Sequence, residues 1–275
     1  MKTKWRLLEN AYGVYHGMSA VEGVELVVAT NSFSQEECLL CRPLAWLIQV
    51  SWTMRLHDLL PRLLAGFGVN PADFFLRAVQ EHESAPPRVR DLFNNFMRDA
   101  REELFDSKEA LMAHYSQDTV MEELGQGLFR KLNTHYSGEI LACNDDFIAF
   151  YRDVALKLVH ELDSTLKGNE HSPGRDIPPS VLIDQCIAFM RHKSLNLEDI
   201  EALESGGLPS KILGFSHDVL AWSRNARKTP LAEMAVPGGL KYTFSTNADQ
   251  AKAVAEHMRR FAGVSREYQL RKLME

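Results

Sequence analysis

"NSFSQEECLLCRPLAWLIQVSW" (residues 31–52) joins a helix-start pattern to a C-x-x-C motif and an apolar run. Ser34 followed by Glu37 fits a capping box, in which a hydroxyl and a carboxylate each satisfy a backbone N–H at the start of a helix. The pattern predicts a helix that continues to about His57. The question it raises is whether the two cysteines are a chemical centre or one turn of a packed helix.

The C-x-x-C motif, Cys38 and Cys41, has three chemical interpretations. An iron–sulfur cluster needs further thiolates close by, whereas Cys143 and Cys186 lie far along the chain. A zinc site needs two more ligands, and no histidine pair stands at ligand spacing. A redox pair gains from a helix N-terminus, which lowers thiol pKa, but the strand–turn–helix context of thioredoxin-like proteins is missing. Because free cysteines are commonly buried, the sequence favours packing.

Composition bounds the class of protein. The chain has 275 residues, of which 45% are hydrophobic and 25% are charged, with a formal net charge of −6. These values are typical of a folded protein without a global basic field, so we expect neither nucleic acid nor a membrane surface as a partner. The apolar run Pro43–Met54 is too short to cross a bilayer. Four cysteines do not make a disulfide framework, and we expect a reducing, cytoplasmic setting.

Apolar periodicity along the chain predicts a mainly α-helical fold with one or two short strands. "VELVVAT" (Val24–Thr30) has the composition of a buried strand. Pro43 removes one helical hydrogen bond, so the helix that follows is expected either to bend there or to begin near Arg42. Further helices are predicted to begin at Pro71 and Pro87 and to cover about 108–115, 118–132, 145–167 and 179–192.

Composition also suggests three parts. Residues 1–167 are predicted to form a strand plus a helical bundle, and the glycine-, proline- and charge-rich stretch 168–179 a surface linker. Residues 180–275 are predicted to be a smaller helical and irregular region. It contains a late strand, "GLKYTFST", and a helix capped by Asn247.

Two other motifs have structural explanations. "GFSHD" (214–218) departs from the G-x-S-x-G nucleophile elbow because Asp218 takes the place of the second glycine. In "CNDDF", Asp145 and Asp146 stand where a helix begins, which capping explains. We therefore predict no catalytic, cofactor-binding or metal-binding residue in this chain.

Three segments carry a resemblance to a known family. "GVELVVATNSFSQEE" with "LAWLIQV", then "FGVNPADFFLRAV", and finally "GLKYTFSTNADQAKAVAEHMRRFAG" resemble the region that follows the catalytic barrel in cobalamin (B12)-binding radical SAM enzymes. In that family a C-x3-C-x2-C motif holds the 4Fe–4S cluster that cleaves S-adenosylmethionine, and a separate domain binds cobalamin. This chain has neither, and Cys38 and Cys41 fall after the barrel in this alignment.

The resemblance implies an accessory, structural or substrate-shaping C-terminal region without catalysis of its own. The cluster, S-adenosylmethionine and cobalamin are then expected only in the full-length parent enzyme. The implied partner is a radical SAM/B12 catalytic chain, with self-association as the other possibility. The alternative function is a stand-alone helical binding or scaffold protein without radical chemistry, and an autonomous redox or zinc enzyme that uses the cysteine pair is a third reading.

A region that evolved against a barrel should leave apolar surface uncovered when the barrel is missing. The sequence offers two candidates for such a surface. One is the strand Val24–Thr30, because Val27 and Val28 point to opposite sides and would both want cover. The other is a helix face, which comprises Leu39, Trp46, Val50 and Met54.

Overall fold

The computed structural model describes residues 1–16, 18–125, 132–140, 143–165, 178–193, 211–218, 221 and 231–244. The predicted fold class is confirmed, since these residues form a mainly α-helical protein with a small amount of antiparallel β-structure. The chain divides into two compact units. The first unit is Met1–Trp46 with Asp91–Ser137, and the second is Leu47–Arg90 with Gly138–Glu275.

These units are interleaved along the chain, whereas the sequence predicted a boundary at 168–179. Residues 166–177 lie outside the described residues, so the predicted linker stays a prediction. The helix predicted after Asn247 also lies outside them.

The elements in chain order have the following bounds. The strands are β1 Lys2–Tyr15, β2 Met18–Ala29, β3 Lys211–His217 and β4 Ala235–Phe244. The α-helices are α1 Gln35–Leu47, α2 Leu59–Gly66, α3 Pro71–Gln80, α4 Pro87–Glu102, α5 Lys108–Tyr115, α6 Asp118–Gly125, α7 Leu132–Ile140, α8 Asn144–Thr165 and α9 Pro179–Lys193. A π-helical segment covers Ile48–Thr53, and single 3-10 turns cover His82–Ser84 and Leu231–Met234.

In the first unit, β1 and β2 form an antiparallel hairpin whose one face packs on α5. Leu7 and Leu111 are buried at the centre of this contact, with Trp5 packed against them. Gly23 lets the helix approach closely, because a Cβ atom there would lie 3.3 Å from both methyl groups of Leu111. The same hairpin was predicted only from Val24 onward, so its first strand was missed.

The predicted capping box at the start of α1 is confirmed. The backbone N–H of Ser34 donates to Glu37 at 2.7 Å, and the N–H of Glu37 donates to the Ser34 hydroxyl at 3.2 Å. The Ser34 N–H and the Ser34 hydroxyl, which donates to the Glu37 carboxylate at 2.8 Å, hold the pKa of Glu37 below its usual value. The helix runs through Pro43 without interruption and changes to π-helical geometry at Ile48, which the sequence did not predict.

The helix face expected to be uncovered is buried instead. Trp46 has 0% relative exposure, and its ring stacks on Phe96 at 4.8 Å and meets Phe93 edge-on at 5.4 Å, both from α4 in the same unit. The other predicted members of the face, Leu39, Val50 and Met54, are buried as well. The prediction of an exposed face on this helix is therefore wrong.

The second unit has a helical core in which α8 packs against α9 and α3. Tyr151 of α8 is fully buried between Phe74 of α3 and Phe147, with ring centroids 5.0 and 4.9 Å away. β3 and β4 form a second hairpin, and β3 contacts α9. β4 confirms the predicted late strand but begins earlier, and β3 was not predicted.

Candidate functional site

A buried polar network is the most chemically structured feature of the second unit. His57 lies at its centre, with Nδ1 3.2 Å from the Ser51 hydroxyl and Nε2 2.9 Å from Oδ1 of Asn144. The Tyr151 hydroxyl lies 2.9 Å from the Ser51 hydroxyl. Ser51 belongs to the π-helical segment, a geometry that is frequent at functional sites.

The donors and acceptors of this network are matched. Because Oδ1 of Asn144 faces Nε2, His57 donates a hydrogen bond from Nε2–H. Its Nδ1 then accepts a hydrogen bond from the Ser51 hydroxyl. Ser51 in turn accepts from the Tyr151 hydroxyl. Burial raises the pKa of Tyr151, so the phenol keeps its proton.

A serine, a histidine and an orienting amide in this order also occur in nucleophilic catalysis. Here, however, Ser51 and His57 both have 0% relative exposure. The network therefore fixes the junction between the π-helical segment and α8 inside the protein. No pattern in the sequence predicted this network.

The structure changes the interpretation of the C-x-x-C motif. Cys41 is exposed and Cys38 is half-buried, so the prediction that both are packing residues is wrong for Cys41 and only partly right for Cys38. Cys143 and Cys186 are buried, and burial raises the pKa of the Cys143 thiol to about 11 and that of Cys186 well above its usual value. Within the described part of the chain, no group of three or more histidine, cysteine or acidic side chains could hold a metal ion.

The two remaining sequence motifs have structural roles. In "GFSHD", His217 is buried with its Nδ1 2.9 Å from the Ser216 hydroxyl, and Ser216 also accepts from the Gln185 amide of α9 at 2.7 Å. The Gln185 contact attaches β3 to α9. Asp145 and Asp146 lie in the first turn of α8, where negative charge favours the helix, as predicted.

The outer edge of β2 presents backbone groups that have no hydrogen-bond partner among the described residues. Trp5 of β1 exchanges both of its backbone hydrogen bonds with Phe105 at 2.8 Å, so its N–H and C=O point away from β2. Trp5 faces Glu25, which makes this a non-hydrogen-bonded pair. The N–H and C=O of Glu25 therefore point outward, and by the strand period of two so do those of Gly23 and Val27.

No other strand pairs with this edge among the described residues. Its side chains are accessible: Glu22 and Glu25 are exposed, and Val27 is 43% exposed, whereas Val28 on the opposite face is 2% exposed. The predicted need for cover on both faces of this strand is thus met at Val28 but not at Val27, although α5 covers the Val27 face further along the strand, at Gly23. Neither glutamate takes part in an ion pair of the described residues.

Comparison with protein-family models, with curated proteins and with solved structures gave no match to this chain. Among the described helices, none is both long and apolar enough to cross a membrane. The resemblance to B12-binding radical SAM enzymes accordingly stays a prediction.

Proposed function

We propose that this chain is an accessory module that binds another polypeptide by adding a strand of that partner to the outer edge of β2. The observation that carries the proposal is the row of outward backbone groups at Gly23, Glu25 and Val27. Strand addition uses such groups for affinity and alternate side chains for specificity. The exposed Val27 gives the partner strand one apolar contact beside the edge.

The negative charge of the β2 edge favours a partner strand with basic side chains. Glu22 and Glu25 give the edge two carboxylates, and cross-strand pairs of opposite charge are favourable. The fitting partner segment therefore carries lysine or arginine opposite Glu25. Acidic residues also protect an edge strand against indiscriminate pairing, which is compatible with one specific basic partner.

Self-pairing through this edge is disfavoured. If two copies paired antiparallel about Glu25, the two-fold symmetry would set the two carboxylates directly opposite each other. Like charges in that position destabilise a strand pair. The proposal therefore commits to a different polypeptide as the occupant.

The family resemblance supplies a candidate for this polypeptide. In B12-dependent radical SAM enzymes the segments that residues 23–37 and 44–50 resemble follow the catalytic barrel, so the proposed occupant is a catalytic chain with the C-x3-C-x2-C motif. The module then closes or shapes one end of that chain and contributes no catalytic group.

Co-expression with the polypeptide encoded immediately upstream tests the proposal. Complex formation is measured by size-exclusion chromatography, and amide exchange of β2 is followed by NMR in the free chain and in the complex. We expect the amides of Gly23, Glu25 and Val27 to become protected on binding. Val27→Pro should abolish the complex, because proline removes an outward N–H and leaves the β1–β2 ladder intact.

Val27→Thr is the matched control, since it keeps the N–H and a β-branched side chain, and it should bind like the wild type. A complex in which those three amides exchange as in the free chain would contradict strand addition. A partner without the cluster motif would favour the stand-alone binding module over the radical SAM assignment. A chain that only self-associates would overturn strand addition both to a radical SAM catalytic chain and to any other partner polypeptide.

A further inference from the structure

We propose that Cys38 and Cys41 form a reversible dithiol–disulfide site that reacts with low-molecular-weight disulfides such as oxidised glutathione. Both residues lie in the first two turns of α1, three positions apart, and both are free thiols. Residues at this spacing share one helix face, with Cβ atoms about 5–6 Å apart. This juxtaposition of two accessible thiols goes beyond the binding function of β2.

The two thiols differ in access, which sets their order of reaction. Cys41 is exposed, whereas Cys38 is half-buried. Cys41 is therefore the attacking thiol and Cys38 the resolving one. The buried pair Cys143 and Cys186, whose thiol pKa values are raised by burial, stays out of this chemistry.

The reaction balances without any further oxidant. The Cys41 thiolate attacks one sulfur of oxidised glutathione, the S–S bond breaks, and one glutathione thiolate leaves. The Cys38 thiolate then attacks the Cys41 sulfur of the mixed disulfide and expels the second glutathione. Two protein thiols become one disulfide, one oxidised glutathione becomes two reduced molecules, and the two protein thiol protons pass to the leaving thiolates.

Formation of the bond requires a local adjustment of the α1 backbone. A disulfide needs Cβ atoms about 4 Å apart, so the turn between the two cysteines must tighten. Pro43 lies just beyond this turn inside α1 and has no N–H to donate to the carbonyl of Leu39. Because this hydrogen bond is missing, the 38–42 backbone can adjust more easily than in a helix with every backbone hydrogen bond formed.

Treatment of the full chain with oxidised glutathione, followed by intact-mass measurement and peptide mapping, tests the site. We expect the wild type to lose two hydrogens, to retain no glutathione and to carry the disulfide in the peptide with residues 38–41. Dithiothreitol should restore the starting mass. The Cys38→Ser variant should instead accumulate one glutathione on Cys41, because no resolving thiol remains.

The matched variant Cys41→Ser should react more slowly than Cys38→Ser, since only the half-buried thiol is left. Wild-type protein that keeps glutathione on both cysteines would overturn the proposal, as would a disulfide to Cys143 or Cys186. Disulfide-linked dimers, or no reaction at either cysteine, would overturn it as well.

Discussion

His57 is the residue on which the buried polar groups of the second unit converge. Its two ring nitrogens connect Ser51, which lies in the π-helical segment, to Asn144, the first residue of α8. A buried polar group that loses its hydrogen-bond partner costs more free energy than a hydrogen bond contributes. The stability of this junction therefore depends more on His57 than on the outer members of the network.

Replacement of His57 tests that dependence. His57→Phe keeps an aromatic ring beside Phe147, which stacks on His57 at a centroid distance of 5.6 Å, but leaves Ser51 and Asn144 without their partner. We expect the free energy of unfolding to fall by about 3 kcal/mol in chemical denaturation. Tyr151→Phe removes only the end of the chain of hydrogen bonds and should cost about 1 kcal/mol. Equal costs for the two variants would contradict the central position of His57.

His217 gives a pH dependence of known sign. Burial lowers the pKa of His217 below its usual value of 6.5, because the charged imidazolium is disfavoured inside the protein. Below that pH the unfolded chain binds a proton before the folded chain does, so the free energy of unfolding falls as the pH drops, down to the folded-state pKa. Well above pH 6.5, His217 is neutral in both the folded and the unfolded chain, so its contribution to the free energy of unfolding no longer changes with pH.

The measurement is denaturant unfolding of wild type and His217→Gln between about pH 8 and about pH 5. The other histidines are common to both proteins, so the difference isolates this residue. We expect the wild type to lose more stability toward acid than the variant. A variant that loses as much as the wild type would contradict a buried neutral His217.

At the scale of elements, the first hairpin and α5 can pack closely because Gly23 has no side chain at their contact. Gly23→Val would place new methyl groups within reach of Leu111, whose methyls already lie 3.3 Å from the ideal Cβ position. We expect a loss of about 1–3 kcal/mol by overpacking. Leu111→Ala should relieve part of it, so the double variant should be more stable than the two single costs imply.

Gly214 of β3 is the matched control for this prediction. A Cβ atom at Gly214 meets nothing within 4 Å, and the position has no positive φ. Gly214→Val should therefore be neutral or slightly stabilising. Thermal unfolding of the four variants compares these costs, and an equal loss at both glycines would show that strand conformation and not the α5 contact is responsible.

Helix α1 offers a second element-scale prediction, on its two faces. Trp46→Glu places a carboxylate among Phe93, Phe96 and Tyr136 and removes the largest side chain of that cluster. We expect a loss of at least about 4 kcal/mol, seen as insoluble or unfolded protein. Leu40→Glu on the same helix, at a position that is 38% exposed, should change stability by less than about 0.5 kcal/mol. A soluble, folded Trp46→Glu protein would contradict the burial of this face.

Most of the helices could be predicted from the sequence because the signals for a helix, such as its cap and its apolar period, lie within a few residues of one another. The capping box at Ser34, the proline starts at Pro71 and Pro87, and the apolar period of α8 are all confirmed. β1 was missed although Lys4 and Arg6 alternate with Trp5 and Leu7. Its alternation stops where the register shifts between Leu7 and Tyr12.

The features that sequence analysis could not supply depend on distant contacts. His57 meets Asn144 at a separation of 87 positions, and Ser51 meets Tyr151 at a separation of 100. No local pattern marks either pair. Likewise, the burial of Trp46 depends on Phe93 and Phe96 of a later helix, which explains why an exposed face was wrongly expected.

At the scale of the whole molecule, the proposed function rests on one asymmetry of the first hairpin. β1 is bonded on both sides near Trp5, to β2 and to Phe105, whereas β2 is bonded to β1 alone among the described residues. An edge of this kind is a site for strand addition unless charge or cover prevents it. The two glutamates narrow the choice of partner, and the helices behind the hairpin hold the edge in place.

Amide exchange of the free chain, measured residue by residue with NMR, tests this asymmetry most directly. We predict slow exchange at Val24 and Leu26, whose N–H groups point toward β1, and fast exchange at Glu25 and Val27, whose N–H groups point outward. Equal protection of all four amides in the free chain would mean that the edge is already covered, and would contradict the proposed function.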